Sequence, residues 1–410
     1  MMELLLIVSS VVSACLIVYS HVGYPMLLGW YKNNRPLKPI SISSRRFKKN
    51  ARDGDLPTVT LIIPAYNEAQ WIQGKIRNIA SLDYPRQKLN VIIACDGCTD
   101  NTAQLAQLTI QEAICEDVHF EVINFASNRG KIAVINELVP KAASDIVALS
   151  DVSALLSIDS LQIASQSFND KRVGVVNPNY CMTLSGNHEE TSYWKYQAKI
   201  KNGEACLGAT IGCHGAFYLF RQSLFQPLDL DTINDDFVLP MKIVEQGYSI
   251  VFEPRINAIE LEETNHKDDF ARRLRISAGN MQQVLRLIHL FNPKYASTAF
   301  TFFSGKGLRL LTPYLMLLCL ICSLLLIEHP LFLFALVIQI TAYSVGLICC
   351  CLPFLRKSKV LSILTYLLSG HLANLVGGIT YLFTNKPSPN KVSPTKLSPQ
   401  EHAKKRQFNF

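Results

Sequence analysis

Five short acidic or basic stations punctuate the chain, and their residue types suit the handling of phosphate and the removal of a proton. Asp96 and Asp100 stand in the turn D-G-C-T-D, Lys131 ends N-R-G-K, Asp151 opens D-V-S at the end of an apolar run, Asp235 and Asp236 are adjacent in N-D-D-F, and Arg272, Arg273 and Arg275 cluster in R-R-L-R. A carboxylate at the end of a buried strand suits a divalent cation bridging two phosphates, because Mg²⁺ takes one or two protein carboxylates and completes its shell with phosphate oxygens and water. A lysine beside a glycine where a helix begins can hold a phosphate as a point charge next to free N–H groups. Adjacent carboxylates suit general-base work, one deprotonating a hydroxyl while its neighbour orients or caps. Each station also has a plainer reading. Carboxylates cap helices and solvate turns, an acidic pair is favoured at a helix amino terminus, and arginines can face lipid headgroups instead of a leaving diphosphate.

The elements that must carry these groups alternate strand and helix. Val59 to Ile63 is a short apolar, β-branched run, which Pro64 is expected to stop for want of an N–H. The turn Ala65-Tyr66-Asn67-Glu68 follows, then a helix from Ala69 to Leu82 with apolar residues at helical spacing. Val91 to Cys95, Phe120 to Phe125 and Asp145 to Leu149 read as further strands, with helices beginning near Ala103 and Ile132. Such alternation predicts a mostly parallel sheet with the ligand at the carboxyl ends of its strands, where both acidic turns fall. No glycine-rich phosphate loop stands at either turn, so the site reads as one for a metal-chelated diphosphate and a nucleoside. Further on, Thr191 to Asn202 resembles an amphipathic helix, and the glycine-rich segment Gly208 to Ala216 holds His214, an acceptor-site candidate or a satisfied buried histidine.

At 410 residues and 49% hydrophobic, the composition predicts a membrane protein with one soluble domain. Leu4 to Trp30 is long and lacks a basic leader, so it reads as a retained anchor more than a signal peptide. Leu310 to Ile327, Leu331 to Phe354 and Val360 to Phe383 are long enough to span a bilayer. The last is the most polar and reads as re-entrant or interfacial, leaving the orientation of the tail open with a lean to the cytoplasm. Basic residues from Arg35 to Lys49 and at Arg356 to Lys359 predict a cytoplasmic soluble domain in the inner or plasma membrane. The expected organisation is an anchor at 1–31, a basic linker at 32–56, the α/β domain at 57–290, an interfacial segment at 291–309, membrane helices at 310–384 and a basic tail at 385–410. The membrane-flanking clusters account for the net charge of +8, so no nucleic-acid partner is expected. The 12 cysteines form no paired zinc spacing; Cys95 and Cys98 make a lone C-x-x-C.

Taken in order, P-A-Y-N-E, D-G-x-T-D, N-R-G-K, S-D-x-S, the glycine-rich segment with H-G-A, N-D-D-F and R-R-x-R resemble the membrane-embedded family 2 glycosyltransferases, the inverting group that includes cellulose, hyaluronan and poly-N-acetylglucosamine synthases. The resemblance covers roughly Val59 to Gln283. It implies a GT-A nucleotide-sugar-binding domain combined with transmembrane helices, a nucleotide-sugar donor, with a UDP sugar most expected, and a glycan or lipid-linked acceptor, with membrane lipids and other polysaccharide-assembly proteins as partners. It further implies that Pro64, Tyr66, Glu68 and Asp96 bind the nucleoside part, that Lys131 neutralises charge beside it, and that Asp151 holds Mg²⁺ or Mn²⁺ on the diphosphate. Asp236 matches the general base, Asp235 the acidic position before it, His214 an acceptor contact, and Arg273 and Arg275 the helix near diphosphate and acceptor. This sequence departs from the pattern at Ser153, where a second aspartate is usual, and at Arg272 and Ile276, where Gln and Trp are usual. The last departure weakens the expectation of processive synthesis. The competing reading is a catalytically silent membrane scaffold, or a nucleotide-binding regulatory component of a polysaccharide export complex.

Overall fold

The computed structural model describes residues 1–34, 51–182, 188–262, 266–352 and 358–384. The basic residues Arg35 to Lys49, Arg356, Lys357 and the tail from 385 lie outside the described residues. A long apolar helix, α1 (Met2–Asn34), opens the chain with one π turn at Tyr19–Gly23. The α/β part then runs β1 (Val59–Ala65), α2 (Ile72–Ala80), β2 (Leu89–Asp96), α3 (Thr102–Thr109), β3 (His119–Phe125), α4 (Lys131–Leu138), β4 (Ile146–Ser150) and β5 (Ala154–Leu156). It continues through α5 (Ser160–Ser167), β6 (Val173–Met182), α6 (His188–Cys206), β7 (Phe217–Arg221), α7 (Asp235–Glu245), β8 (Ser249–Glu260) and α8 (His266–Arg286). Three apolar helices follow, α9 (Ser297–Leu325), α10 (Pro330–Cys351) and α11 (Lys359–Thr384).

The eight strands form one sheet in the order β3-β2-β1-β4-β7-β6-β8-β5. The half from β3 to β4 is parallel, as the alternation predicts, whereas β7 runs antiparallel to β4 and β6, and β5 antiparallel to β8. Strands in the parallel half are apolar on both faces because helices cover both sides. Leu61 and Ile63 belong to one core with α2, and Ile62 to a second with α4 and α7.

Pro64 does not stop β1, which continues to Ala65 with Pro64 opposite Ala94 of β2. Pairing with β4 ends at Ile62, so beyond it one side of β1 has no ladder for the missing N–H to interrupt. Helix α2 is shorter than its apolar spacing suggested, and α9 begins well before Leu310, taking in much of 291–309.

Among the described residues four helices, α1 and α9 to α11, are long and apolar enough to cross a membrane. The last run is one continuous helix and makes no re-entrant turn: Gly377 and Gly378 let α8 approach it so closely that a Cβ at Gly377 would lie 2.7 Å from the Leu274 carbonyl oxygen. Its polar residues meet neighbours, Asn374 donating to the Arg309 and Leu310 carbonyls at 3.3 Å. Tyr24 of α1 donates to buried Glu204 of α6 at 3.1 Å, fastening the first apolar helix to the α/β part.

Candidate active site

The turns after β1 and β2 are sewn into one shelf. Asn67 takes a left-handed φ of 54° and its Oδ1 accepts from the amides of Thr99 at 2.8 Å and Asp100 at 3.3 Å. In return, Glu68 N donates to Thr102 Oγ1 at 2.8 Å and Ala69 N to Asp100 Oδ2 at 3.2 Å. Pro64 leads into this shelf, the Tyr66 ring is 40% exposed on it, and Glu68 is half-buried. Asp96, at the end of β2, is turned inward. It is 3% exposed and its oxygens accept from Arg129 N at 3.0 and 3.1 Å and from Gly130 N at 2.7 Å, so in this conformation it anchors the N-R-G-K loop. Gly97 makes that closeness possible, since a Cβ there would stand 2.1 Å from Asn128 N.

The second cluster gathers groups from three of the stations onto the glycine-rich segment. Lys131, at the start of α4, donates to Asp151 Oδ1 at 2.9 Å and lies 3.6 Å from Asp235 Oδ2. Asp235 is buried and accepts from the Tyr218 hydroxyl at 3.1 Å. Gly215 forms the floor: a Cβ on it would meet Asp151 Oδ2 at 3.3 Å, Asp236 Oδ2 at 3.6 Å and Lys131 Nζ at 3.8 Å. Three charged tips therefore surround a space that only the missing side chain leaves open. Desolvation and the adjacent Asp235 push Asp236 up to about 6. Desolvation works against the Lys131 charge, yet Asp151 and Asp235 hold its pKa above the usual lysine value.

The remaining predicted residues sit at the margin of this cluster. His214 precedes Gly215, stacks on Tyr180 at 3.7 Å between ring centroids and meets Trp194 edge-on at 4.8 Å. Its Nδ1 accepts from Ala216 N at 3.2 Å, which leaves Nε2 to carry the proton, and burial pushes its pKa down to about 3. Arg273 is directed to α11, its guanidinium 4.4 Å from the Tyr366 ring centroid, and Arg275 is exposed. The structure thus brings Lys131, Asp151, Asp235 and Asp236 together with His214 adjoining, and sets Arg273 against the apolar helices.

Residues 60–228 match the family described as Glycosyl transferase family 2. The chain is 27% identical over 240 residues to a poly-beta-1,6-N-acetyl-D-glucosamine synthase of Staphylococcus aureus, covering 57% of each. It is 25% identical over 236 residues to the protein of that name from Staphylococcus epidermidis, covering 56% of each. The match therefore spans a little over half the length of these relatives. Among solved structures, a mannosyltransferase from Pyrobaculum calidifontis, in complex with GDP-mannose and Mn²⁺, superposes with a TM-score of 0.64 at 22% identity, over 90% of this chain and 99% of its own. That likeness establishes the GT-A-type fold.

Two residues beside this cluster escaped the sequence reading. Lys75 is fully buried under the Asp151 strap, donating to Ser150 Oγ at 2.6 Å and to the Ala154 carbonyl at 2.5 Å. Ser150 Oγ passes the connection on to the Ala216 carbonyl at 2.7 Å, so one amino group ties both ends of the strap to the loop holding Gly215. A signal existed: Ile72, Lys75, Ile76 and Ile79 make a core-facing stripe at i, i+3, i+4 and i+7, and a lysine within it requires buried partners. Glu260 had no such signal. It reaches the site only because β8 pairs Glu260 opposite Ala154, and there it bonds Ser153 where a second aspartate was missed.

Proposed function

We propose that this protein transfers a sugar, with inversion, from a nucleotide-diphosphate sugar to a glycan or lipid-linked acceptor at the cytoplasmic membrane face, in polysaccharide or glycoconjugate synthesis. The observation that carries the reading is the convergence of Asp151, Asp236 and Lys131 on the cradle at Gly215. A donor diphosphate entering beside Asp151 would meet the Lys131 ammonium, and the anomeric carbon would face Asp236. Asp236 takes the proton of the acceptor hydroxyl as it attacks. Its raised pKa, near 6, suits a base that must be ionised near neutral pH yet retain proton affinity. Lys131, positive and preorganised, stabilises the departing diphosphate. The shelf carrying Tyr66 and Glu68 takes the nucleoside, with Asp96 fixing the loop that presents Lys131.

Enzymes of this fold commonly depend on a divalent cation. Among the described residues no three His, Cys, Asp or Glu side chains stand close enough to cage an ion. The donor set fits an ion held by Asp151 Oδ2, which points into the cradle, and completed by substrate phosphates. When bound, Mg²⁺ or Mn²⁺ would neutralise charge on the leaving diphosphate. Asp151 orients toward that position, and Lys75 and Ser150 hold Asp151 in place.

A membrane-derived acceptor is supported by the reach of α9, whose Lys306 ammonium lies 4.1 Å from the ring centroid of Phe237, the residue after the base. Confinement near the surface raises the acceptor's local concentration. The test is nucleoside diphosphate release by the full chain in detergent over a panel of nucleotide sugars with Mg²⁺ or Mn²⁺. Release from one donor, abolished in Asp151→Asn and Asp236→Asn, supports the transferase. A protein that neither turns over nor binds any nucleotide sugar is a scaffold, and the reading fails.

A further inference from the structure

The C-x-x-C pair closes on itself at the end of β2. Cys95 is fully buried and stands opposite Ala65 in the β1–β2 ladder. Gly97, at a φ of 63°, then reverses the chain so tightly that its amide reaches the Cys95 carbonyl at 3.2 Å. The reversal brings Cys98 back onto the core that holds both Cys95 and Ala65. There its Sγ donates to the Ala65 carbonyl at 3.4 Å and shares a hydrogen bond with the Cys95 thiol. Both are free thiols, and Cys98 is half-buried.

The two sulfurs are unequal. The hydrogen bond from Cys95 pushes Cys98 down to about 7 in spite of its partial burial, so a good share of it is thiolate at neutral pH. The same hydrogen bond, with burial, pushes the Cys95 thiol up. A reachable thiolate beside a buried thiol is the arrangement of an attacking and a resolving cysteine. The turn that carries them is one half of the shelf, since the next two amides, of Thr99 and Asp100, donate to Asn67 Oδ1 at 2.8 and 3.3 Å.

We propose that Cys95 and Cys98 form a reversible disulfide whose closure loosens the shelf. The oxidant is a low-molecular-weight disulfide such as oxidised glutathione. The Cys98 thiolate attacks one of its sulfurs, and the other half departs as a thiolate that takes the Cys95 proton. Cys95 sulfur then displaces the second half from Cys98. The protein gives up two electrons and two protons, and the oxidant becomes two thiols. Closure removes the S–H that bonds the Ala65 carbonyl and draws Cys98 into a covalent bond of about 2 Å, displacing Thr99 from Asn67. That the shelf takes a nucleoside rests on the proposed function; the disulfide does not.

The full chain in detergent, equilibrated with reduced and oxidised glutathione in varied ratio, then acid-quenched and alkylated, tests the site by peptide mapping. Cys95 and Cys98 should be found linked to each other, and dithiothreitol should reverse the link. In Cys95→Ala, Cys98 should stop at the mixed disulfide with glutathione. Cys98→Ser keeps a donor for the Ala65 carbonyl and should form neither product at this turn. Hydrogen exchange read by mass spectrometry over the peptide containing Thr99 and Asp100 reports the shelf. Oxidation should speed exchange there by roughly threefold to tenfold, the worth of one hydrogen bond, in wild type and not in Cys98→Ser. Thermal melts confirm that both variants are folded, and Cys98→Ser carries the test should Cys95→Ala unfold. The absence of a Cys95–Cys98 link at any glutathione ratio, a link that leaves exchange unchanged, or an equal response of Cys98→Ser to oxidant would overturn the proposal.

Binding of UDP and GDP to the reduced and oxidised chain separates this inference from the transferase reading. Affinity for one of them that falls on oxidation and returns with dithiothreitol supports both. A link that forms and speeds exchange while neither nucleotide binds in either state upholds the disulfide and counts against the transferase. Nucleotide binding to a chain that forms no link does the reverse.

Discussion

Asp96 and Asp236 lie at the same edge of the sheet and share a side chain, yet their surroundings are opposite. Asp96 is saturated with backbone N–H donors from the Arg129 and Gly130 amides and sits within the fold. The Asp236 carboxylate has no hydrogen bond or close ion pair among the described residues, follows another carboxylate in sequence, and has its ionisation pushed toward neutrality by desolvation and Asp235 against the opposing pull of Lys131 and Lys306. A carboxylate given donors holds chain segments in register. One denied them stores proton affinity, and pKa values driven apart in this way mark the groups that do acid–base work. The contrast separates scaffolding from chemistry inside one cluster of acidic turns, and it can be broken by experiment.

The largest effect should come from Asp236→Asn. Loss of a positioned base costs about 10² to 10⁴ in rate, while the melting temperature should hold or rise because a carboxylate crowded by Asp235 has been neutralised. Asp96→Asn should reverse the pattern in stability, losing about 1–3 kcal/mol as backbone amides lose a charged acceptor. Nucleotide release and thermal melts on both variants check this. If Asp236→Asn melts far below the wild type, the distinction between the two carboxylates collapses.

Gly215→Ala probes the cradle without touching a charge. The added methyl would stand 3.3 Å from Asp151 Oδ2, and its backbone conformation needs no glycine, so the fold should survive. Displacement of the reacting groups should lower turnover by about tenfold to a hundredfold, since misplacement by about 1 Å costs on that order. Release assays against donor and Mn²⁺ concentration show whether the loss falls on binding or on kcat.

Lys75→Met should cost about 1–3 kcal/mol at alkaline pH, because the Ala154 carbonyl loses its buried donor. Its pH dependence has a definite sign. Burial pushes Lys75 down to about 7 from the ordinary 10.5, so between those values the unfolded chain binds the proton and the folded chain does not. Wild-type stability should therefore gain from this group as pH rises through that window, and the gain should vanish in the variant. Melting curves of the two proteins across the window, subtracted, isolate it.

How far the sequence carried these points varies with the physics involved. The parallel half of the sheet was legible because each strand is a continuous apolar run closed by a turn, and five of the stations announce themselves as polar breaks between such runs. Pro64 misled because a strand's ladders belong to its neighbours, and only the register shows that β4 has already parted from β1 there. Glu260 was invisible for the same reason, since its nearness to Asp151 depends on β8 pairing with β5 across a hundred residues of chain. Lys75 was legible in its spacing, within the apolar stripe of α2, and went unread. The saturation of Asp96 by backbone donors and the desolvation of Asp236 follow from which segments pack around each, and no local pattern carries that.

The smallest effect sharpens the comparison most. Transfer by the wild type should fall as pH drops through about 6, where Asp236 takes up its proton and ceases to be a base. Asp235→Asn removes the adjacent like charge while keeping an oxygen to accept the Tyr218 hydroxyl, so the fold of that corner persists. Without the repulsion, Asp236 should ionise more readily and the acidic limb of the rate profile should move to lower pH. The maximum rate should fall modestly, because a weaker base accepts the proton less well and Lys131 loses one of its two carboxylate partners. Desolvation alone would leave the limb in place, and a limb that does not move assigns the raised pKa to burial. A limb displaced upward would show that Asp235 is the group being titrated and would exchange the roles of the two aspartates.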